Sequence, residues 1–466
     1  MAFGLPQIRL PQFSKRTWLI IGGGAAALLL LIILIVSAIP KGKVAEKVAL
    51  SVWMSTESLD QMTPVLQSFL AQNTSVEKIN FKQIAADNYE NELLNALAAD
   101  KGPDIFVLPN DLLTRHLDKI SPMPATLLTP DLFRSTFVPV AADDAIRKDT
   151  AGSEYIMGVP FNMDTLGLFY NTAMFSDANL EAPQTWDDFA SAVAKLTNKQ
   201  QDGSVVRVAG AALGGQSNVS FATDILYLLM LQNGTKMVSA DKTSATFHLS
   251  EAGTGGNPVF PGTDALSFYT GFAIPGSTIN VSGKQTDIYT WNNTLPSSFQ
   301  ALSRRKAAMI FGYASNIEDL SKLSGIKLGV APVPQPAPEL VGTTLQEKTV
   351  NYAQYQIMTV SRKSSSTDAA WELINYLTSK DAQKMINAST KRLSARLDLI
   401  EEQSKISLYG TFVSEFSTAQ NWYKKDPAKM DKIFEQAIDA VVLFGQSPQN
   451  ALESAAQSAN KILGEQ

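Results

Sequence analysis

Apolar side chains at positions 48, 50, 52 and 54 alternate with their neighbours, the period of a strand with one face buried, and the run ends in Ser55-Thr56-Glu57. Thr63 and Pro64 then read as the N-cap and first residue of a helix with apolar positions at 62, 65, 66, 69 and 70. The order repeats. Asp87 with Glu90 opens a helix whose face is Tyr89, Leu93, Leu94 and Leu97, and Lys101-Gly102-Pro103 turns into a buried run from 104 to 108 that ends in Asn110-Asp111. Strands are predicted over 155–160 and 165–170, and Thr185 with Asp188 caps a helix burying Trp186, Phe189, Val193 and Leu196, with a turn at 201–204. Further helices are predicted at about 367–378, at 429–444 with Gly445 as stop, and at 448–463 behind Ser447-Pro448. Alternating strands and helices predict an α/β protein with mostly parallel strands. Residues 250–300, rich in Gly, Pro, Ser and Asn, and the proline-rich 332–338 read as surface loops.

Residues 18–39 break the pattern, because they are apolar on every face and carry no charge. At 1.5 Å rise per residue such a helix spans about 30 Å, so one transmembrane helix is expected there. A signal peptide has a shorter apolar core and a small-residue cleavage site, which Ser37-Ala38-Ile39-Pro40 lacks. A basic cytoplasmic segment at 1–17 and a linker at 40–47 flank the span, and the charge bias favours an extracytoplasmic main body.

Composition removes most chemistry. None of the 466 residues is Cys and two are His, which excludes thiolate and disulfide chemistry and leaves His116 and His248 as the only imidazoles. Both read as structural, and no metal or cofactor is expected. The chain carries net charge −5, although its first 47 residues are basic, so the body is more acidic than the whole and unsuited to nucleic acid. Walker and G-x-S-x-G motifs are absent, and 198–209 lacks the ligands of a calcium loop. Two of the 44 acids could still form a glycosidase pair, which keeps a surface glycan-active enzyme as the alternative.

The stretch 155–171 (YIMGVPFNMDTLGLFYN) followed by 182–189 (APQTWDDF) resembles the signature of the extracellular solute-binding proteins of bacterial ABC importers, in the sugar-binding group similar to maltose-binding protein. The resemblance continues through 102–106, 289–292, 306–309, 369–372 and 421–424, in family order. It implies a two-lobed periplasmic-binding-protein-like (type II) α/β fold with an interlobe cleft. Lobe 1 would be 48–163 and 312–356, and lobe 2 would be 164–311 and 357–466, with crossings near Asp164, Gly312 and Gln356. By the same resemblance, Glu57, Asp111 and Asp164 are the hydroxyl-binding acids, assisted by Asn110 and Asn162. Tyr313 and Trp422 are the stacking rings, with Trp291, Tyr352 and Tyr355 as weaker candidates. A sugar offers hydroxyls at its rim and a C–H face, so acids and flat rings suit it. The implied function is non-enzymatic capture of a mono- or oligosaccharide by a membrane-anchored monomer for an ABC importer permease. A sensor or adhesion module of the same fold is a further reading.

Overall fold

Two sheets organise the chain, each fed by strands that return from the other. The computed structural model describes residue 14 and residues 47–200, 206–253, 256–323, 325–337, 339–341, 344–346 and 349–465. The expected transmembrane helix at 18–39, the segment 1–17, the linker up to 46 and the turn at 201–204 lie outside these residues. Among the described residues no helix is long and apolar enough to cross a membrane.

In the first sheet, strand Val48–Met54 pairs in parallel with Val76–Gln83 and with Ile105–Pro109, and Gln356–Ser361 runs antiparallel beside the last. Helices Leu59–Gln72, Ala86–Ala98, Thr367–Leu377 and Lys380–Thr390 accompany it. In the second sheet, Asp164–Asn171 is flanked by antiparallel neighbours Ala307–Tyr313, Leu328–Ala331 and Asn351–Gln354, while Val206–Ala211 pairs in parallel with Ala307–Tyr313. Helices Trp186–Leu196, Ala222–Gln232, Pro261–Gly271, Pro427–Val442 and Pro448–Gly464 belong to this half. The sheets are therefore mixed rather than mostly parallel. A strand that arrives from the other sheet enters from the opposite end, so the crossing strands run antiparallel to their neighbours.

The allocation of lobes is corrected by sheet membership. Strands Ala307–Tyr313, Leu328–Ala331 and Asn351–Gln354 belong to the second sheet, where Gly312 stands opposite Gly167, and 356–390 lie with the first. The chain passes between sheets at Asn162–Asp164 and again at Tyr355, and it returns to the second by Phe412, whose ring packs on Gly167 so closely that a Cβ there would lie 2.3 Å from it.

Local chemistry shifts several boundaries. The first helix is capped by Ser58 with Gln61 in a reciprocal capping box, one turn before the expected cap, and Pro64 lies inside it. Ser58 supplies the acceptor that the orphan N–H groups need, so Thr63 is left to donate to the Leu59 carbonyl. Asp87 is not a cap either: it sits in the first turn behind Ala85, where a carboxylate meets the positive end of the helix dipole. Thr185 and Asp188 form the capping box their spacing predicts. Residues 250–300 are not all loop, since Pro261–Gly271 is a helix that buries Ala265, Leu266 and Tyr269. Its weak polar–apolar contrast, PGTDALSFYTG, hides the period. One continuous apolar core joins both halves.

Candidate ligand site between the two sheets

Where the chain passes between sheets, backbone hydrogen bonds tie four segments together. Phe161 N–H donates to the Gln356 carbonyl (2.7 Å), Asn110 N–H to that of Tyr355 (2.9 Å) and Met163 N–H to that of Leu393 (2.8 Å). Beside this junction lies a cavity of about 450 Å³. The strand ends of the first sheet contribute Thr56, Asn110 and Asp111, the crossings contribute Asn162, Asp164, Gln354, Tyr355 and Gln356, and Ser315, Lys391 and Arg392 complete the wall. That position, at the ends of strands and between two sheets, is where open α/β folds leave room for ligand.

The acids in this wall are held by different means. Asp164 Oδ1 accepts from the N–H groups of Ala314 (2.8 Å) and Thr165 (3.0 Å), and Oδ2 accepts from that of Ser315 (3.0 Å). Burial still pushes its carboxyl up to about 6, against the pull of those donors. Two carboxylate oxygens have about four acceptor positions, so the three backbone donors leave one, within reach of the Ser315 side chain or a ligand hydroxyl. Asp111 is a quarter exposed and pairs through Oδ2 with Lys424 at 3.2 Å. Asn162 and Asn110 use their carbonyl oxygens to accept from the backbone of Gln356 (2.9 Å) and Tyr355 (3.2 Å). The Asn162 Nδ2 group, by contrast, has no acceptor among the described residues, and it belongs to a residue on the cavity wall.

Of the expected site residues, Asn110, Asp111, Asn162, Asp164 and Tyr355 share this cavity, and the others do not. Glu57 is 1 % exposed and turns inward behind Thr56, which donates to it. Its Oε1 has no hydrogen-bond partner and faces the Arg392 guanidinium at 3.5 Å. Burial raises its carboxyl above the usual range, more than Thr56 and Arg392 lower it.

Tyr313 points its hydroxyl to Asp224 (2.9 Å), and Tyr352 packs against Tyr227 at 5.7 Å between ring centres. Trp291 is fully buried and donates to Asn218 (2.8 Å). Trp422, expected to stack on a sugar, meets Tyr227 edge-on at 5.2 Å and Phe434 at 5.9 Å. It borders a separate cavity of about 620 Å³ that shares only Asn110 and Asp111 with the first. Aromatic residues near polar strand ends look the same in sequence whether they face a cleft or seal the core beside it.

Behind the wall lies a buried polar cluster. Asp224 accepts from Tyr313 and from Gln354 Nε2 (2.9 Å each), Tyr227 donates to Asp431 (2.8 Å), and Lys424 Nζ stands 3.3 Å from Asp431 and 5.3 Å from the Tyr227 ring centre. Burial pushes the Asp224 carboxyl up to about 7, opposed by Lys424 and reinforced by Asp431. Sequence reasoning missed Thr56, Ser315, Gln354, Gln356, Lys391 and Arg392. Thr56 and Gln356 were legible as neighbours of a strand end and a crossing, whereas nothing around Lys391-Arg392 marks it as a wall.

His116 is buried with Nε2 2.9 Å from Glu90 and away from the cavity, and among the described residues no cluster of acids and imidazoles could hold a metal ion. A family model described as bacterial extracellular solute-binding protein matches residues 65–410. The chain belongs to this family of bacterial extracellular solute-binding proteins. This solute-binding protein is therefore a receptor rather than an enzyme. No curated protein matches it.

Solved structures share its fold at low identity. The sugar-binding protein MalE of Xanthomonas citri is 19% identical, with a TM-score of 0.68, covering 89% of this chain and 97% of that one. An ABC substrate-binding protein of Listeria monocytogenes in complex with cycloalternan is 17% identical (TM-score 0.66, 90% of this chain and 100% of that one). A Thermotoga lettingae solute-binding protein bound with α-D-tagatose is 20% identical (TM-score 0.62, 89% and 100%).

Proposed function

We propose that this solute-binding protein captures a carbohydrate in the 450 Å³ cavity between its sheets and delivers it to an ABC importer, its main body extracytoplasmic and tethered by the apolar segment at 18–39. The observation that carries the reading is the wall itself: acceptors on Asp111 and Asp164 and donors on Asn162, Ser315 and Arg392 line one space of ligand size. Hydroxyls both donate and accept, so a polyol rim suits such a mixture better than an apolar or singly charged solute. Solved structures of the same fold hold sugars, including tagatose and cycloalternan.

With no exposed ring among the described residues of this wall, hydrogen bonding rather than stacking is the source of selectivity. Tyr355 is the one expected aromatic on the wall, it is buried, and its hydroxyl is engaged by Asp144. Ligand bridging the two halves would favour whichever arrangement of the sheets it contacts better. Calorimetric titration of the full chain with mono- and oligosaccharides tests this. Binding of at least one saccharide, weakened tenfold or more by Asp164→Ala, is expected. Uniform silence across the panel would sink the carbohydrate reading.

A further inference from the structure

We propose that Lys424 is an interlobe clasp: its ammonium, housed in the second lobe, holds Asp111 of the first and thereby both orients that carboxylate toward the cavity and fixes the two lobes in the arrangement seen here. The inference rests on the reading of the 450 Å³ cavity as the ligand site.

The housing belongs to the second lobe. Lys424 follows strand Ala419–Gln420, which pairs with Asn351–Gln354, and it is 4% exposed. Its nearest fixed partners are Asp431, on helix Pro427–Val442, and the face of Tyr227, on helix Ala222–Gln232. An ammonium taken out of water is costly unless several acceptors surround it. One of those acceptors comes from across the gap. Asp111 lies just after strand Ile105–Pro109 of the first sheet, and its Oδ2 is 3.2 Å from Lys424 Nζ.

Neighbouring ties run in the same direction. Asn421 Nδ2 donates to Asp144 (2.6 Å), and Arg115 stands 3.8 Å from Asp426, so the strip 421–426 of the second lobe grips residues 111–144 of the first. Of these, Asp111 and Lys424 are the pair that connects to ligand. Asp111 lies on both cavities, and with Oδ2 engaged by Lys424 its Oδ1 is the oxygen left for a guest hydroxyl. An ammonium at that distance holds the carboxylate in one orientation, so a ligand meets a preoriented acceptor. Ligand affinity and lobe arrangement are then linked through one ion pair.

The chain has no cysteine, so Lys78→Cys and Lys284→Cys, both exposed and on opposite lobes, give one spin-label pair in the full-length protein. Pulsed dipolar spectroscopy without ligand should give a narrow interlobe distance in the parent and in the exposed control Lys432→Met. Asp111→Asn and Lys424→Met should each broaden it or move it to longer separation, and the double variant should do no more than either single. Asp111→Asn leaves the Lys424–Asp431 contact in place, so it decides the question even if Lys424→Met folds poorly. Distributions for both singles superimposable on the parent would overturn the clasp.

A second arm uses calorimetry with maltotriose. Each single variant should lose about tenfold in affinity, with no further loss in the double, and parent-like affinity in Lys424→Met would refute the proposal. Should maltotriose and every other saccharide fail to bind the parent, the carbohydrate reading fails while the distance arm still judges the clasp.

Discussion

The cavity wall and the sealed cluster behind it are made of the same residue types, yet they are satisfied differently. In the wall, Asp164 and Asn162 are anchored by backbone N–H groups, which leaves part of each side chain for a ligand, while Asn110 is held at both ends, by the Tyr355 N–H and by Asp144. In the cluster, Tyr313 donates to Asp224 and Tyr227 to Asp431, and the Lys424 ammonium stands between Asp431 and Asp111 of the wall. Anchoring by backbone gives a rigid site with spare valence, whereas mutual pairing of side chains gives a cross-link with none. The rings expected to greet a sugar, Tyr313 above all, are consumed by the cross-link.

The sharpest way to break this contrast is to remove a member of each set. Asp224→Ala leaves the buried Tyr313 hydroxyl without its acceptor, and should cost about 3 kcal/mol or more in urea unfolding. A cost below about 1 kcal/mol would show that the cluster is not a cross-link.

Acid–base behaviour sharpens it next. Asp224 and Asp164 have folded pKa values raised from 3.8 to about 7 and about 6, so between those limits the folded chain holds protons that the unfolded chain has lost. Their contribution is therefore fully present below about pH 4 and is lost as pH rises through 6 and 7, with a ceiling of about 4 kcal/mol for Asp224. Unfolding midpoints measured from pH 5 to 8 should fall, and the fall should be shallower in Asp224→Asn.

Trp291→Phe deprives Asn218 of its donor in a packed interior, and should lower stability by about 1–2 kcal/mol while leaving saccharide affinity unchanged. A tenfold loss of affinity would return Trp291 to the site. Asn162→Ala reverses that signature. It should cost about 1 kcal/mol in stability yet weaken binding tenfold, because its amide is anchored to Gln356 and its Nδ2 is free for ligand.

The contrast also explains what could be read from the chain. The capping box at Thr185, the alternation over 48–54 and the buried run at 104–108 are local patterns, and each became its element, the last as strand Ile105–Pro109. The ends of those elements placed Asn110, Asp111 and Asp164 at the cavity. Orientation across the fold was not legible. Whether Tyr313 turns toward the cavity or toward Asp224 depends on a helix nearly ninety residues earlier, and Glu57 and Thr56 exchange roles by one strand step. Lobe membership beyond Gly312 was likewise a matter of which strand finds which neighbour, since Gly312 pairs with Gly167 inside one sheet, with no crossing between them.

Hydrogen–deuterium exchange of the full chain, with and without the saccharide that binds it most tightly, tests the central claim most directly. Slower exchange at 110–111, 162–164, 314–315 and 354–356 is expected, since these segments border one cavity from both sheets. Slowing confined to the unrelated cavity formed by 182–185 and 331–336, or no slowing despite saturation, would contradict it.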